Sequence, residues 1–247
     1  MGKDDHIDDI LVNWNYDPNR LNVRMREGID GRDVLQMRID MGLLQMEASG
    51  RPDGTRPEGS ETYLDHLMSL TFHSDSAFTM DEDQCYEVDR EFVQYYHRRI
   101  CWLQLHRYDR AVRDADHTLE LMDFCKVHSP DEHWTMSHEQ YRPFVLFHRI
   151  QAAALSQLDE ESPEVAVEEI NSGLEQLREL FEDEGVDEVF DENELVQRLV
   201  ELREELRDKF DVGDKLHERL RVAVENEEYE LAAKLRDEIA QRSDVGL

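Results

Sequence analysis

The hydrophobic period of this chain changes once, and the change separates two kinds of structure. Leu21, Val23 and Met25 alternate with polar residues before the turn signal Gly28-Ile29-Asp30-Gly31, and Leu35, Met37, Ile39 and Met41 alternate after it. A period of two sends every second side chain to the same face, so a β-hairpin with one buried face is expected. The segment ASGRPDGTRPEGSE, Ala48 to Glu61, then concentrates three glycines and two prolines among polar residues. It reads as a loop or lid that sets a small strand-containing unit, residues 1–59, apart from the rest of the chain.

From Ser60 onward the apolar residues recur at intervals of three and four. Tyr63, Leu64, Leu67, Met68 and Thr71 mark an amphipathic helix opened by Ser60 as its cap. The block FVQYYHRRICWLQLHRYDRAVRDADHTLELMDF carries Tyr95, Trp102, Tyr108, Ala111, Ala115, Leu119 and Met122. An aromatic followed three residues later by a small residue, Tyr108 and Ala111, lets two helices approach closely after a short turn near His106-Arg107. The pattern resembles a tetratricopeptide repeat, with Trp102 in the first helix and Tyr108, Ala111 and Leu119 in the second. Arg99 and Asp123 depart from that family's small residue and terminal proline. A fainter copy places Ala166, Gly173 and Leu174 where Ala111, Thr118 and Leu119 stand. The interval exceeds the family's period of about 34 residues, and the irregular stretch Lys126 to Gln140 takes up the excess. The resemblance implies a helical-repeat region over residues 60–180.

Residues 181–213 form an acidic helix or linker, in which Leu195, Leu199, Leu202 and Leu206 follow a four-three-four spacing typical of a packed helix seam. Gly213-Asp214 then breaks the pattern. Residues 214–243 divide into two short amphipathic helices around Asn226-Glu227, with Leu220, Ala223 and Val224 on the first and Tyr229, Ala232, Ala233, Leu235, Arg236 and Ile239 on the second. The paired alanines suit close helix contact. Together with Glu228, Glu230 and Asp237, these residues resemble the UVR motif, a helical hairpin named after the excision-repair subunits UvrB and UvrC. The resemblance implies a protein-docking element that pairs with a second copy or a partner helix. It implies neither repair nor kinase activation, because a P-loop, the helicase sequence of UvrB and Cys-x-x-Cys pairs are all missing from this sequence.

Charge narrows the partners. With 59 acidic residues against 28 basic ones the formal net charge is −31, which repels a phosphate backbone, so direct nucleic-acid binding is not expected. Residues 214–243, with eight acidic and six basic residues, are nearly balanced and suit a protein surface or a second copy in a homodimer. Three widely spaced cysteines favour neither a disulfide framework nor a zinc site. The first residues lack a signal-peptide core, and no apolar run reaches membrane-span length, so a cytoplasmic location without membrane partners is expected.

Candidate chemistry is sparse. His128, His133 and His138 lie five residues apart, a spacing that matches no ligand motif, so no metal is expected, and His148 sits on an apolar helix as a packed core residue. Arg24, Arg38 and Arg51 head an arginine-rich set suited to holding a carboxylate or phosphate, against the plainer reading of an outward strand face paired with local acids. No nucleophile–base pair, glycine-rich phosphate loop or metalloprotease signature gives catalysis a residue, and no cofactor is implied. The expectation is a mainly α, non-catalytic adaptor with Leu220, Ala223, Val224, Tyr229, Ala232, Ala233, Leu235, Arg236, Asp237 and Ile239 as its docking residues. The alternative is a ligand-binding or catalytic N-terminal unit built on Arg24, Arg38 and Arg51.

Overall fold

The computed structural model describes residues 7–72, 78–159, 162–210, 212, 216–226 and 228–244. The chain is mainly helical with a small antiparallel sheet near its start, as the change of period requires. It divides into two compact units, residues 1–200 and 201–247.

In the first unit a short helix α1 (Asp8–Leu11) precedes strands β1 (Asn22–Glu27), β2 (Asp33–Ile39) and β3 (Gly42–Glu47), paired in that order. The expected two-stranded hairpin is therefore a three-stranded meander. The chain reverses a second time at Asp40-Met41, where the Asp40 carboxylate accepts the Met41 N–H at 2.9 Å. Met41 consequently sits exposed in a turn and not on the buried face. Cross-strand partners Val23–Met37, Met25–Leu35, Leu35–Met46 and Met37–Leu44 give the sheet one apolar face. That face shares a core with Cys101, Trp102, Ala111 and Ala152, so the sheet is packed on helices and does not stand apart.

The 48–61 segment ends in a single 3-10 turn, Pro57–Gly59, which Ser60 terminates. The cap of α2 (Tyr63–Phe72) is Thr62 instead: its Oγ1 accepts the Asp65 N–H at 3.1 Å while the Asp65 carboxylate accepts the Thr62 N–H at 3.1 Å. α3 (Glu82–Gln104) begins with the same reciprocal device between Asp81 and Gln84. A three-residue turn, with His106 in the left-handed region at φ 54°, joins α3 to α4 (Tyr108–His128), as the Tyr108/Ala111 spacing leads one to expect.

The stretch read as irregular contains a helix, α5 (Glu132–Glu139), whose first turn is held by the Asp131 carboxylate accepting the His133 N–H at 2.9 Å. α6 (Arg142–Asp159) then packs against both α4 and α7 (Pro163–Asp183). α6 and α7 approach closely at Gly173, where an added Cβ would collide with the Ile150 side chain. Phe181 and Phe190 meet edge-on at 5.5 Å beyond it.

α8 (Glu194–Phe210) carries the expected seam, with Leu199 and Leu206 buried and Leu195 and Leu202 half-buried; Val196 is buried as well. In the second unit, α9 (Leu216–Glu225) and α10 (Tyr229–Asp244) pack on each other. The Gly213-Asp214 break lies outside the described residues.

Candidate functional site

The arginines do not converge. Arg24 and Arg38 share the polar face of the sheet: the Arg24 Nε donates to Gln36 Oε1 at 2.8 Å and its guanidinium stacks over Trp14 at 3.9 Å. Arg38 donates to the carbonyls of Ile39 and Gly42 and lies 5.7 Å from the Tyr16 ring. Arg51 is buried elsewhere among acids, with its Nη2 2.8 Å from Glu87 and its Nε 3.3 Å from Glu91. A guanidinium already held by two carboxylates has little left to offer an anion.

Arg51 belongs instead to a structural network that sequence spacing does not reveal. Glu91, wholly buried, accepts the N–H groups of Tyr63 and Leu64 at 2.7 and 3.1 Å, and His117 Nε2 lies 3.0 Å away. One carboxylate therefore caps α2 and ties it to α3 and α4. Arg98 grips Asp114 with two bonds of 2.9 and 2.7 Å and donates to the carbonyls of Glu47 and Gly50, binding the segment after β3 to the helices. The three candidate histidines separate: His128 contacts Phe78 and Phe124, His138 stacks on Phe92, and His133 lies in the first turn of α5. Cys85, Cys101 and Cys125 are buried thiols, and burial pushes Cys101 up to about 12.

The C-terminal hairpin closes on an apolar cluster. Among the described side chains, Leu220, Ala223, Ala232 and Leu235 form its interior, and a small residue at each of two facing positions lets the helix backbones come together. The turn closes when Asn226 N–H donates to Val222 O at 2.9 Å and Glu228 N–H to Ala223 O at 2.7 Å. The paired alanines part company here. Ala232 is buried, whereas Ala233, one residue and about 100° further round the helix, is exposed. Tyr229, four residues before Ala233 on the same face, is 68% exposed, and Val224 is half-exposed. Arg236 is also exposed; the side chains of Asp237 and Ile239 lie outside the described residues.

Residues 214–241 match the family model UVR, the UvrB/uvrC motif. The match covers α9 and most of α10, so the UVR hairpin is both a sequence motif and a packed structural unit. Comparison with curated proteins and with solved structures finds no match. Of the ten expected docking residues, Leu220, Ala223, Ala232 and Leu235 are thus spent on closing the UVR hairpin, while Val224, Tyr229 and Ala233 remain on its outside. Periodicity alone assigned Ala232 and Ala233 to one stripe, and only the packing of α9 on α10 tells them apart. Among the described residues no helix is long and apolar enough to cross a membrane.

Proposed function

We propose that this chain is a non-catalytic adaptor whose UVR hairpin docks onto a second UVR-type hairpin, its own copy or one carried by another protein. The observation that carries this reading is the division of the motif's apolar residues. Among the residues whose side chains are described, Leu220, Ala223, Ala232 and Leu235 face inward between two helices of 10 and 16 residues, lengths that are marginal alone in water. Tyr229, Ala233 and Val224 are left outward as apolar surface that a partner helix would cover. The near balance of charge along the motif lets a like hairpin approach without the repulsion that the rest of the chain would impose.

The packed helical hairpins α3–α4 and α6–α7 would serve as the tetratricopeptide-like platform on which a second protein is held. Arg24, Arg38 and Arg51 play no ligand-binding part in this reading, because aromatic rings, amide oxygens and carboxylates occupy them. The test is a Tyr229→Glu/Ala233→Glu variant, which charges the outer face and leaves the interior alone. Light scattering and affinity capture should show loss of self-association or of the UVR-bearing partner, with the helical circular-dichroism signal retained. Unchanged mass and an unchanged partner set would refute the proposal.

A further inference from the structure

Helices α3, α4, α5 and α6 enclose a cavity of about 830 Å³. Its walls are apolar and largely aromatic, including Phe92, Tyr96, Met122, Trp134 and Phe144, and its rim is open to water at Val93, which is 55% exposed, and at Tyr141. That volume lies in the range of small-molecule sites, about 300–1,000 Å³. What marks it as more than a packing defect is the one strong cation among its lining residues.

Arg99 lines the cavity and is 1% exposed. Its Nε donates to His148 Nδ1 at 3.3 Å and its Nη1 to Thr118 Oγ1 at 3.0 Å, which uses two of its five N–H groups. Nη2 makes no hydrogen bond among the described residues, and no described carboxylate pairs with Arg99. The nearby Asp114 is already held at two points by Arg98. Burial, opposed by the Asp114 charge, lowers Arg99 to about 10, so it stays charged at neutral pH. Burial and the Arg99 charge push His148 down to about 3, so it is a neutral acceptor that supplies no counter-charge. The lining carboxylate, Asp89, lies on the His138 side of the cavity, its Oδ1 2.9 Å from His138 Nε2 though without a hydrogen bond, and it forms no ion pair with Arg99. Two buried guanidiniums facing one carboxylate leave an uncompensated positive charge, costly inside a protein unless something pairs with it.

We propose that this cavity binds a small monocarboxylic acid with an apolar, preferably aromatic, body. The carboxylate takes the free edge of Arg99, and the body lies among Phe92, Trp134 and Phe144. A planar guanidinium fork matches a carboxylate in charge and shape. A dianion would bring a second charge that nothing else in the cavity neutralises. The site lies far in sequence from the UVR hairpin, and its occupancy can be tested independently of docking.

The experiment uses the full chain with 4-phenylbutyrate, the matched alcohol 4-phenylbutan-1-ol and inorganic phosphate as probes, read by calorimetric titration and thermal shift. The acid should bind at least tenfold more tightly than the alcohol and raise Tm, and phosphate should do neither. Arg99→Met should abolish the preference for the acid while leaving the unliganded Tm equal or higher, since it removes an unpaired buried charge. Val93→Trp, at the exposed rim, should weaken the acid at least tenfold by filling the mouth without touching Arg99. Equal binding of acid and alcohol, no binding of either, stabilisation by phosphate, or an acid preference that survives both substitutions would overturn the assignment. Should Arg99→Met fail to fold, the acid–alcohol comparison and Val93→Trp still decide it.

Discussion

The helical core of the first unit and the UVR hairpin of the second solve the same packing problem with opposite means. The core buries charge along with apolar surface: Glu91, Arg98, Arg99 and Asp114 are all nearly inaccessible, and Arg51, Glu139 and Arg142 join them. Among the described side chains, the UVR hairpin buries Ala223, Ala232 and Leu235 with Leu220 packed against them, and no described charge joins that cluster. Where its ions are paired, as at Arg98–Asp114, a charged core is rigid and specific, because removing a partner strands a charge. A small apolar contact between two short helices is forgiving, and it gains from being covered. The first arrangement suits a fixed platform and the second a docking element.

The difference can be broken most severely at Arg98–Asp114. Asp114→Ala leaves Arg98 buried without its carboxylate and should cost about 3–5 kcal/mol in denaturant unfolding of the first unit. A loss below about 1 kcal/mol would show that the buried pair is not integral to the core. Gly173→Ala drives a methyl into Ile150 at the α6–α7 contact and should cost about 2–3 kcal/mol by the same measurement. A neutral result would mean the two helices part easily. Leu235→Ala empties the UVR hairpin interior and should cost about 2 kcal/mol locally, seen as faster hydrogen exchange across α9 and α10 with the main thermal transition unmoved.

A smaller effect comes from acid. The hydrogen bond from Arg51, then that from Arg90, holds Glu87 below the usual carboxylate range. A depressed carboxylate contributes stability that is fully present above its unfolded pKa, about 4.3, and is lost as pH falls through the lower folded value. The contribution is below about 1 kcal/mol because Glu87 is partly exposed. Glu87→Gln should remove that part of the pH dependence below about pH 4 and leave stability at neutral pH only slightly lower; an identical acid profile would contradict the pairing.

Local pattern carried much of this fold. Alternation and the Gly28–Gly31 turn mark β1 and β2, and the Tyr108/Ala111 spacing marks the α3–α4 turn. β3 escaped because Met41 carries the alternation of β2 on through the Asp40-Met41 turn, which lacks the glycine pair that announces a tight hairpin, and α5 escaped because Asp131 is an N-cap hidden among other acids. The buried network is illegible from periodicity for a different reason. Arg98 and Asp114 are joined only when α3 folds back on α4, and the charge pattern of either helix alone reads as solvated surface. The UVR motif was legible from its residues, yet the separate fates of Ala232 and Ala233 depend on a rotation of about 100° that spacing alone cannot assign to inside or outside.

The smallest expected effect on stability is the most informative for function. Tyr229→Glu/Ala233→Glu in the full chain should leave the main unfolding transition unchanged, since neither side chain is part of the hairpin interior. Light scattering over a range of concentrations, with affinity capture of wild type and variant in parallel, tests the docking role of the UVR hairpin directly. The wild type should self-associate or retain a UVR-bearing partner, and the variant should lose it. A variant with wild-type mass and the same partners would contradict that role.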